Sequence, residues 1–130
     1  MNEQFSCPCT SGKPYSKCCQ PWHDGAAASD AEALMRSRYS AYVVRLQSYL
    51  VETCHSSTRP ISLDLDQGNS PMWLGLEIKR HEQTGPATAL VEFVARFRVA
   101  GGSAQRLHEI SRFVLEAGRW YYLDGVFPRK

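Results

Sequence analysis

The sequence predicts an α+β fold, with N-terminal helices packed on a four-stranded antiparallel sheet and a small knuckle ahead of both. Three observations carry this. Apolar residues recur at helical spacing between about residues 30 and 53, then alternate at strand spacing from residue 72 onward. Glycines and a Gly-Pro pair divide the second half into four runs. Four of the five cysteines fall within residues 7–19, a stretch too short to bury a core of its own.

The chain has 130 residues, 43% hydrophobic and 22% charged, which suits a folded core and excludes a disordered chain. We divide it into a knuckle, residues 1–25, and an α+β domain, residues 26–130. No apolar run is long enough for a membrane span. The start, Met1-Asn-Glu-Gln-Phe-Ser-Cys7, has neither the basic nor the apolar region of a signal peptide. A reducing cytoplasm is therefore expected, where clustered cysteines are more often metal ligands than disulfides.

The knuckle reads Cys7-Pro-Cys9-Thr-Ser-Gly-Lys-Pro-Tyr-Ser-Lys-Cys18-Cys19. Cys7 and Cys9 aim two sulfurs at one point, Ser11-Gly12 and Pro14 reverse the chain, and Cys18 and Cys19 return two more. Bridges within Cys7-x-Cys9 or Cys18-Cys19 would be strained. Four sulfurs suit a tetrahedral zinc ion, Zn2+, in a structural site, because they leave no open position for catalysis. An iron–sulfur site is the alternative, though the usual ferredoxin spacings are absent. His23 stands close enough to replace a cysteine, but reads better as a supporting residue. Four thiolates around a divalent ion would bring the formal charge of +2 to about zero, which argues against nucleic-acid binding.

Residues 20–28 read as a linker that packs back through Trp22. Ser29-Asp-Ala-Glu32 is a capping box, with Ser29 as N-cap, and starts a helix over about 30–45. A second helical stretch reaches Thr53. Met35, Tyr39, Tyr42, Leu46 and Tyr49 form one buried stripe, bordered by Leu34, Arg38 and Ala41. Arg59-Pro60 forces extended chain, and residues 61–70, with Asp64 and Asp66, are a loop or a helical turn.

Strands are expected over 72–81, 88–99, 104–116 and 119–127, turning at Gly85-Pro86, Gly101-Gly102 and Gly118. Met72, Leu74, Leu76 and Ile78 share one face of the first. Pairing of apolar faces sets Ala95 opposite Glu109 and Phe93 opposite Ser111. The last hairpin sets Phe113 opposite Tyr122 and Ser111 opposite Asp124. Glu109, Ser111 and Asp124 then lie on the core face. The outer face carries a charge ladder, with Glu92 opposite Arg112 and Arg96 near His108.

Acids on a core face must be paired or protonated. Arg38 is the natural partner of Glu109. Either the two form a buried ion pair that locks helix to sheet, or Arg38, Tyr42, His55, Glu109 and Asp124 line a polar pocket. A closed pocket with Arg38 bound to Glu109 would favour an adaptor; an open one lined by Glu109, Asp124 and His55 with unpaired groups would favour ligand chemistry. Cys54 beside His55 suggests a nucleophile, but sequence neighbours point apart and no third group orients them.

Cys7-Pro-Cys9-x-Ser-Gly-Lys-x-Tyr-x-x-Cys18-Cys19 resembles the SEC-C zinc motif, first named from the SecA translocation ATPase. Ala31-Glu-Ala-Leu-Met-Arg-Ser-Arg-Tyr-Ser-Ala-Tyr42, Thr53–Pro60, Trp73-Leu-Gly75, Val94–Phe97, Glu109–Phe113 and Trp120–Gly125 resemble the YchJ-like family of small bacterial proteins. The resemblance covers nearly the whole chain. It implies a SEC-C knuckle fused to a nuclear-transport-factor-two-like domain, in which helices pack on a curved sheet to form a cone.

Three positions depart from that pattern. Thr10 stands where Gly is usual, so that turn is expected to avoid left-handed geometry. Cys54 stands where Trp is common. The chain stops at Lys130 without the second cysteine motif of many relatives, so a two-knuckle monomer is not expected.

Two functions follow as expectations. The first is a protein-interaction or adaptor module, with Lys13, Tyr15 and Lys17 presented to a protein partner; the SecA motif, by resemblance, contacts a chaperone and the ribosome. The alternative is a small-molecule binder or enzyme that uses the cone pocket. The fold class hosts both, so fold does not decide between them.

Overall fold

The computed structural model describes residues 6–60, 71–99 and 101–128. The expected loop or turn at Asp64 and Asp66 lies outside the described residues. The elements are a 3-10 turn (Tyr15–Lys17), α1 (Gln20–His23), α2 (Ala31–Val44), α3 (Gln47–Glu52), β1 (Met72–Gly85), β2 (Thr88–Arg98), β3 (Gln105–Glu116) and β4 (Arg119–Val126). The strands form one antiparallel meander in the order β1-β2-β3-β4, and α2 packs on one face of it. This is the α+β arrangement expected.

Residues 20–28 are not linker throughout, because Gln20-Pro-Trp-His closes a short helix whose second residue is proline, a favourable place for it. The cap of α2 sits one residue later than expected. Asp30 is in extended backbone, and its carboxylate accepts from the Ala33 amide at 2.7 Å. Asp is as good an N-cap as Ser, and the shift frees Glu32 to pair with Arg36 at 3.1 Å. The helix ends where Arg45 turns left-handed, at φ 63°. That break re-aims α3, so Leu50 rather than Leu46 becomes fully buried. Met35 and Tyr39 are buried as expected, whereas Tyr42, Leu46 and Tyr49 are half-buried.

Bulges account for most differences in the sheet. In β1 the pairing slips between Trp73 and Gly75, so Trp73 joins Leu76 and Ile78 opposite the inner residues of β2. Met72 and Leu74, expected inside, are exposed. Between β2 and β3 the register differs by two residues: Phe93 faces Glu109 and Val91 faces Ser111. A two-residue shift preserves faces, so Glu109, Ser111 and Phe113 are still buried. The charge ladder exists with other partners. Glu92 stands opposite Ile110 and bonds His108 (2.7 Å) and Arg80 (3.4 Å), while Arg96 faces Arg106.

In the last hairpin Phe113 faces Tyr122 as expected, but a bulge at Leu123 places Arg112 opposite Asp124 and Ser111 opposite Gly125. Asp124 is thereby turned to the outer face. It takes both Arg112 nitrogens, Nε and Nη2, at 2.6 Å each. The β4 edge is covered in part by the chain after α3. Tyr122 donates its amide to the Thr53 carbonyl, and the His55 amide donates to Tyr122, each at 2.8 Å.

Candidate metal centre and cavity

The knuckle closes on itself through backbone bonds. The Cys7 amide donates to the Lys13 carbonyl at 2.9 Å, and the Thr10 amide to Cys7 at 3.1 Å. Closing so tight a turn requires a left-handed residue, and Thr10 supplies it at φ 65°. The expectation that Thr10 avoids this conformation was wrong. Its hydroxyl donates to the Leu76 carbonyl at 2.8 Å, which anchors the turn to β1.

The four sulfurs of Cys7, Cys9, Cys18 and Cys19 lie within 4.8 Å of one another, with Cys9 and Cys18 at 3.5 Å. A tetrahedral site with metal–sulfur bonds near 2.3 Å needs sulfurs about 3.8 Å apart, so the donor set fits a metal ion. Cys7, Cys9 and Cys19 are buried. Among the sulfurs themselves, the Cys19 and Cys7 thiols draw Cys9 below the ordinary thiol range, while donation to Cys7 and Cys9 pushes Cys19 above it. A divalent cation between the four sulfurs would favour the thiolate form of all of them.

Helix α2 supplies the surroundings. The Ser40 hydroxyl lies 3.3 Å from Cys19 Sγ and 3.5 Å from Cys7 Sγ, and Arg36 donates to the Cys9 carbonyl at 3.1 Å. Ser11 Oγ is 3.1 Å from Cys18 Sγ. His23 is not among the grouped ligands. Its Nε2 is 2.9 Å from the Ser37 carbonyl, which can only accept, so Nε2 carries the proton. Nδ1 then accepts from the Tyr15 hydroxyl at 2.6 Å, and the ring meets Tyr49 edge-on. Burial holds this imidazole below its ordinary pKa and pushes Tyr15 up to about 12. Arg36, Ser37 and Ser40 are site residues that no motif in the sequence marks. Their spacing of one and three along α2, on the flank opposite the aromatic stripe, was the available signal.

A second site lies between α2 and the sheet. It is a cavity of about 220 Å³ whose walls include Arg38, Tyr42, Trp73, Phe93, Glu109 and Tyr122. Of the five residues expected to line a pocket, Arg38, Tyr42 and Glu109 do so. Asp124 does not, because of the β4 bulge. His55 does not either: its Nε2 bonds Glu116 and its Nδ1 bonds Ser57 on the surface, each at 2.8 Å. Cys54 points the other way, to the Leu50 carbonyl at 3.4 Å, so Cys54 and His55 form no nucleophile pair.

The expected Arg38–Glu109 bond is absent. Arg38 Nη1 donates to the Leu50 carbonyl (2.9 Å) and to Thr53 Oγ1 (2.6 Å), and its guanidinium lies 4.6 Å above the Tyr122 ring. Glu109 Oε2 accepts from Ser111 (2.8 Å) and from the Tyr122 hydroxyl (2.9 Å). Tyr122 thus stands between the two charges, and burial with Glu109 alongside holds its phenol well above the ordinary range. Gly125 has a role that sequence did not disclose: a Cβ there would overlap the Glu109 carboxylate.

Residues 30–125 match the family model described as "YchJ, middle NTF2-like domain". A UPF0225 protein of Xanthomonas oryzae pv. oryzae is 58% identical over 119 residues, covering 92% of this chain and 92% of that protein. A UPF0225 protein of Bordetella parapertussis is 52% identical over 123 residues, covering 92% and 91%. The solution structure of a SEC-C motif containing protein from Rhodopseudomonas palustris superposes with a TM-score of 0.84 at 37% identity, covering 96% of this chain and 100% of that one.

Proposed function

The chain belongs to the YchJ-like UPF0225 family, and from that footing we propose that it binds a small molecule in the cavity under α2, with the knuckle as a metal-bound clamp. The observation that carries this is Arg38 and Glu109 buried in one cavity without bonding each other. Each charge has protein partners on one atom only, which leaves Arg38 Nη2 and Glu109 Oε1 without protein partners among the described residues and available to a third group. In this reading Zn2+ is the metal, held by Cys7, Cys9, Cys18 and Cys19, and its work is structural because four thiolates complete its sphere. The setting is the reducing cytoplasm, which keeps the thiols available. Among the described residues no helix is long and apolar enough to cross a membrane.

Arg38 fixes the position of α3 through Leu50 and Thr53, and so holds one end of the cavity rigid. Glu109 is fixed by Ser111 and Tyr122. Both groups are oriented before any ligand arrives, which lowers the ordering cost of binding.

The test is native mass spectrometry of metal-loaded protein after gentle lysis, with a fragment screen by NMR alongside. A retained organic mass, or fragments that shift Trp73 and Tyr122 signals, is the expected result. Protein and metal alone, with no fragment moving those signals, would overturn it.

A second reading, a protein partner docked on the knuckle, is favoured by one observation. A groove of about 420 Å³ runs beside the metal cluster, bordered by Lys13, Lys17, Trp22, Asp30 and Arg36. Reversing the charge at Lys13 and Lys17 would abolish such docking and leave the metal and the cavity intact.

A further inference from the structure

Resting on the cavity as a binding site, we infer that its ligand is a small zwitterion: an apolar or aromatic body bearing one carboxylate and one ammonium group. The charged groups of the cavity are linked through Tyr122. At one end is Arg38, 6% exposed, a permanent cation. Its protein bonds all leave from Nη1, and no carboxylate pairs with it among the described residues. A guanidinium has five N–H donors, so an edge of the fork is left for a ligand. At the other end is Glu109, 8% exposed. Oε2 is occupied by the Ser111 and Tyr122 hydroxyls, and Oε1 takes no protein donor among the described residues. Tyr122 joins the ends, its ring beneath the guanidinium and its hydroxyl on the carboxylate.

Charge balance selects the ligand. A carboxylate alone would meet Arg38 but repel Glu109, and an amine alone would do the reverse. Each would gain one favourable contact and suffer a like-charge contact with the other group. A molecule with both groups meets both charges, with the carboxylate on the Arg38 fork and the ammonium on Glu109 Oε1. The rest of the wall is largely apolar, with the rings of Tyr39, Tyr42, Trp73 and Phe93 beside Met35 and Leu107, and suits an apolar body. The volume of about 220 Å³ falls below the roughly 300–1,000 Å³ of drug-sized sites, so the body is a single small group.

The experiment titrates full-length, metal-loaded protein with four probes that share a phenyl body: L-phenylalanine, 3-phenylpropionate, phenethylamine and benzyl alcohol. Binding is followed by the NMR shifts of Trp73 and Tyr122. L-Phenylalanine is expected to bind at least about tenfold tighter than either singly charged probe. Glu109→Gln keeps an oxygen for Ser111 and Tyr122 but removes the negative charge. It should shift preference toward 3-phenylpropionate, a reversal that a merely structural role would not produce. Binding of benzyl alcohol without L-phenylalanine would overturn the zwitterion and leave the binding site standing. Equal binding of all four, in wild type and variant, would also overturn it. No binding by any probe would overturn both readings.

Discussion

Thr10 and His23 show how single residues tie the knuckle to the domain. A β-branched residue at φ 65° carries a cost of about 1–2 kcal/mol, and Thr10 is kept there by its bonds to Cys7 and Leu76. His23 does the corresponding work on the other side, spanning from Tyr15 to the Ser37 carbonyl. In its neutral form Nδ1 accepts the Tyr15 hydroxyl proton while Nε2 donates to Ser37. Burial lowers its folded pKa from the ordinary 6.5. The unfolded chain therefore takes the proton first, and His23's contribution to stability is complete above pH 6.5 and is lost as pH falls below it. Urea midpoints measured from pH 8 to pH 5 on wild type and His23→Gln should differ most at the alkaline end and converge on acidification. Acid release of metal is common to both proteins and cancels in the comparison. A constant difference across that range would contradict the assignment.

At the scale of elements, α2 is two-sided. Met35, Tyr39 and Tyr42 face the cavity and Arg36, Ser37 and Ser40 face the knuckle, so one helix positions both sites. Ser40 touches two of the four sulfurs. A hydroxyl that donates to a thiolate stabilises its charge, and losing such an outer partner typically costs 10–100-fold in metal affinity. Ser40→Ala removes the donor by deleting a single oxygen and adds no bulk at this fully buried position. Its metal affinity, measured by chelator competition, should fall by about tenfold or more with the fold retained. An unchanged affinity would mean that Ser40 only fills space. In the sheet, the bulges at Leu74 and Leu123 decide which side chains enter the cavity. One admits Trp73, and the other expels Asp124 and brings Gly125 under Glu109.

Across the whole molecule, the cysteine cluster and the domain share one core. Cys7, Cys9 and Cys19 belong to the same buried cluster as Leu34, Met35, Tyr39, Val91 and Phe113, with Trp22 packed against it. Metal removal should therefore weaken far more than residues 1–25. A ligand held at a thousandfold its Kd stabilises a fold by about 4 kcal/mol. Chelation should lower the melting temperature in a single transition, and hydrogen exchange should rise along α2 as well as in the knuckle. If exchange rose only before Asp24, the knuckle would be an independent unit.

Sequence by itself determined the cysteine cluster, the helix-then-sheet order, the turns at Gly85 and Gly118, and the presence of Glu109 and Ser111 on the core face. Each of these rests on local chemistry or on a period of two or 3.6 residues, and such signals survive small errors in pairing. A two-residue slip between β2 and β3 changed every partner and no face. Tertiary structure alone decided the rest. A bulge adds one residue to one strand, inverts every side chain beyond it, and leaves no mark in composition. That is why Asp124 and Leu74 lie outside and Trp73 inside. The break at Arg45 had the same effect on α3, and the chain after it carried His55 to the surface. The separation of Arg38 from Glu109 is also tertiary, since it depends on Leu50 and Thr53, in α3 and its C-cap, and on Tyr122, in β4, reaching those groups. The cavity exists because these long-range contacts hold two charges apart, and no short stretch of the chain encodes that distance.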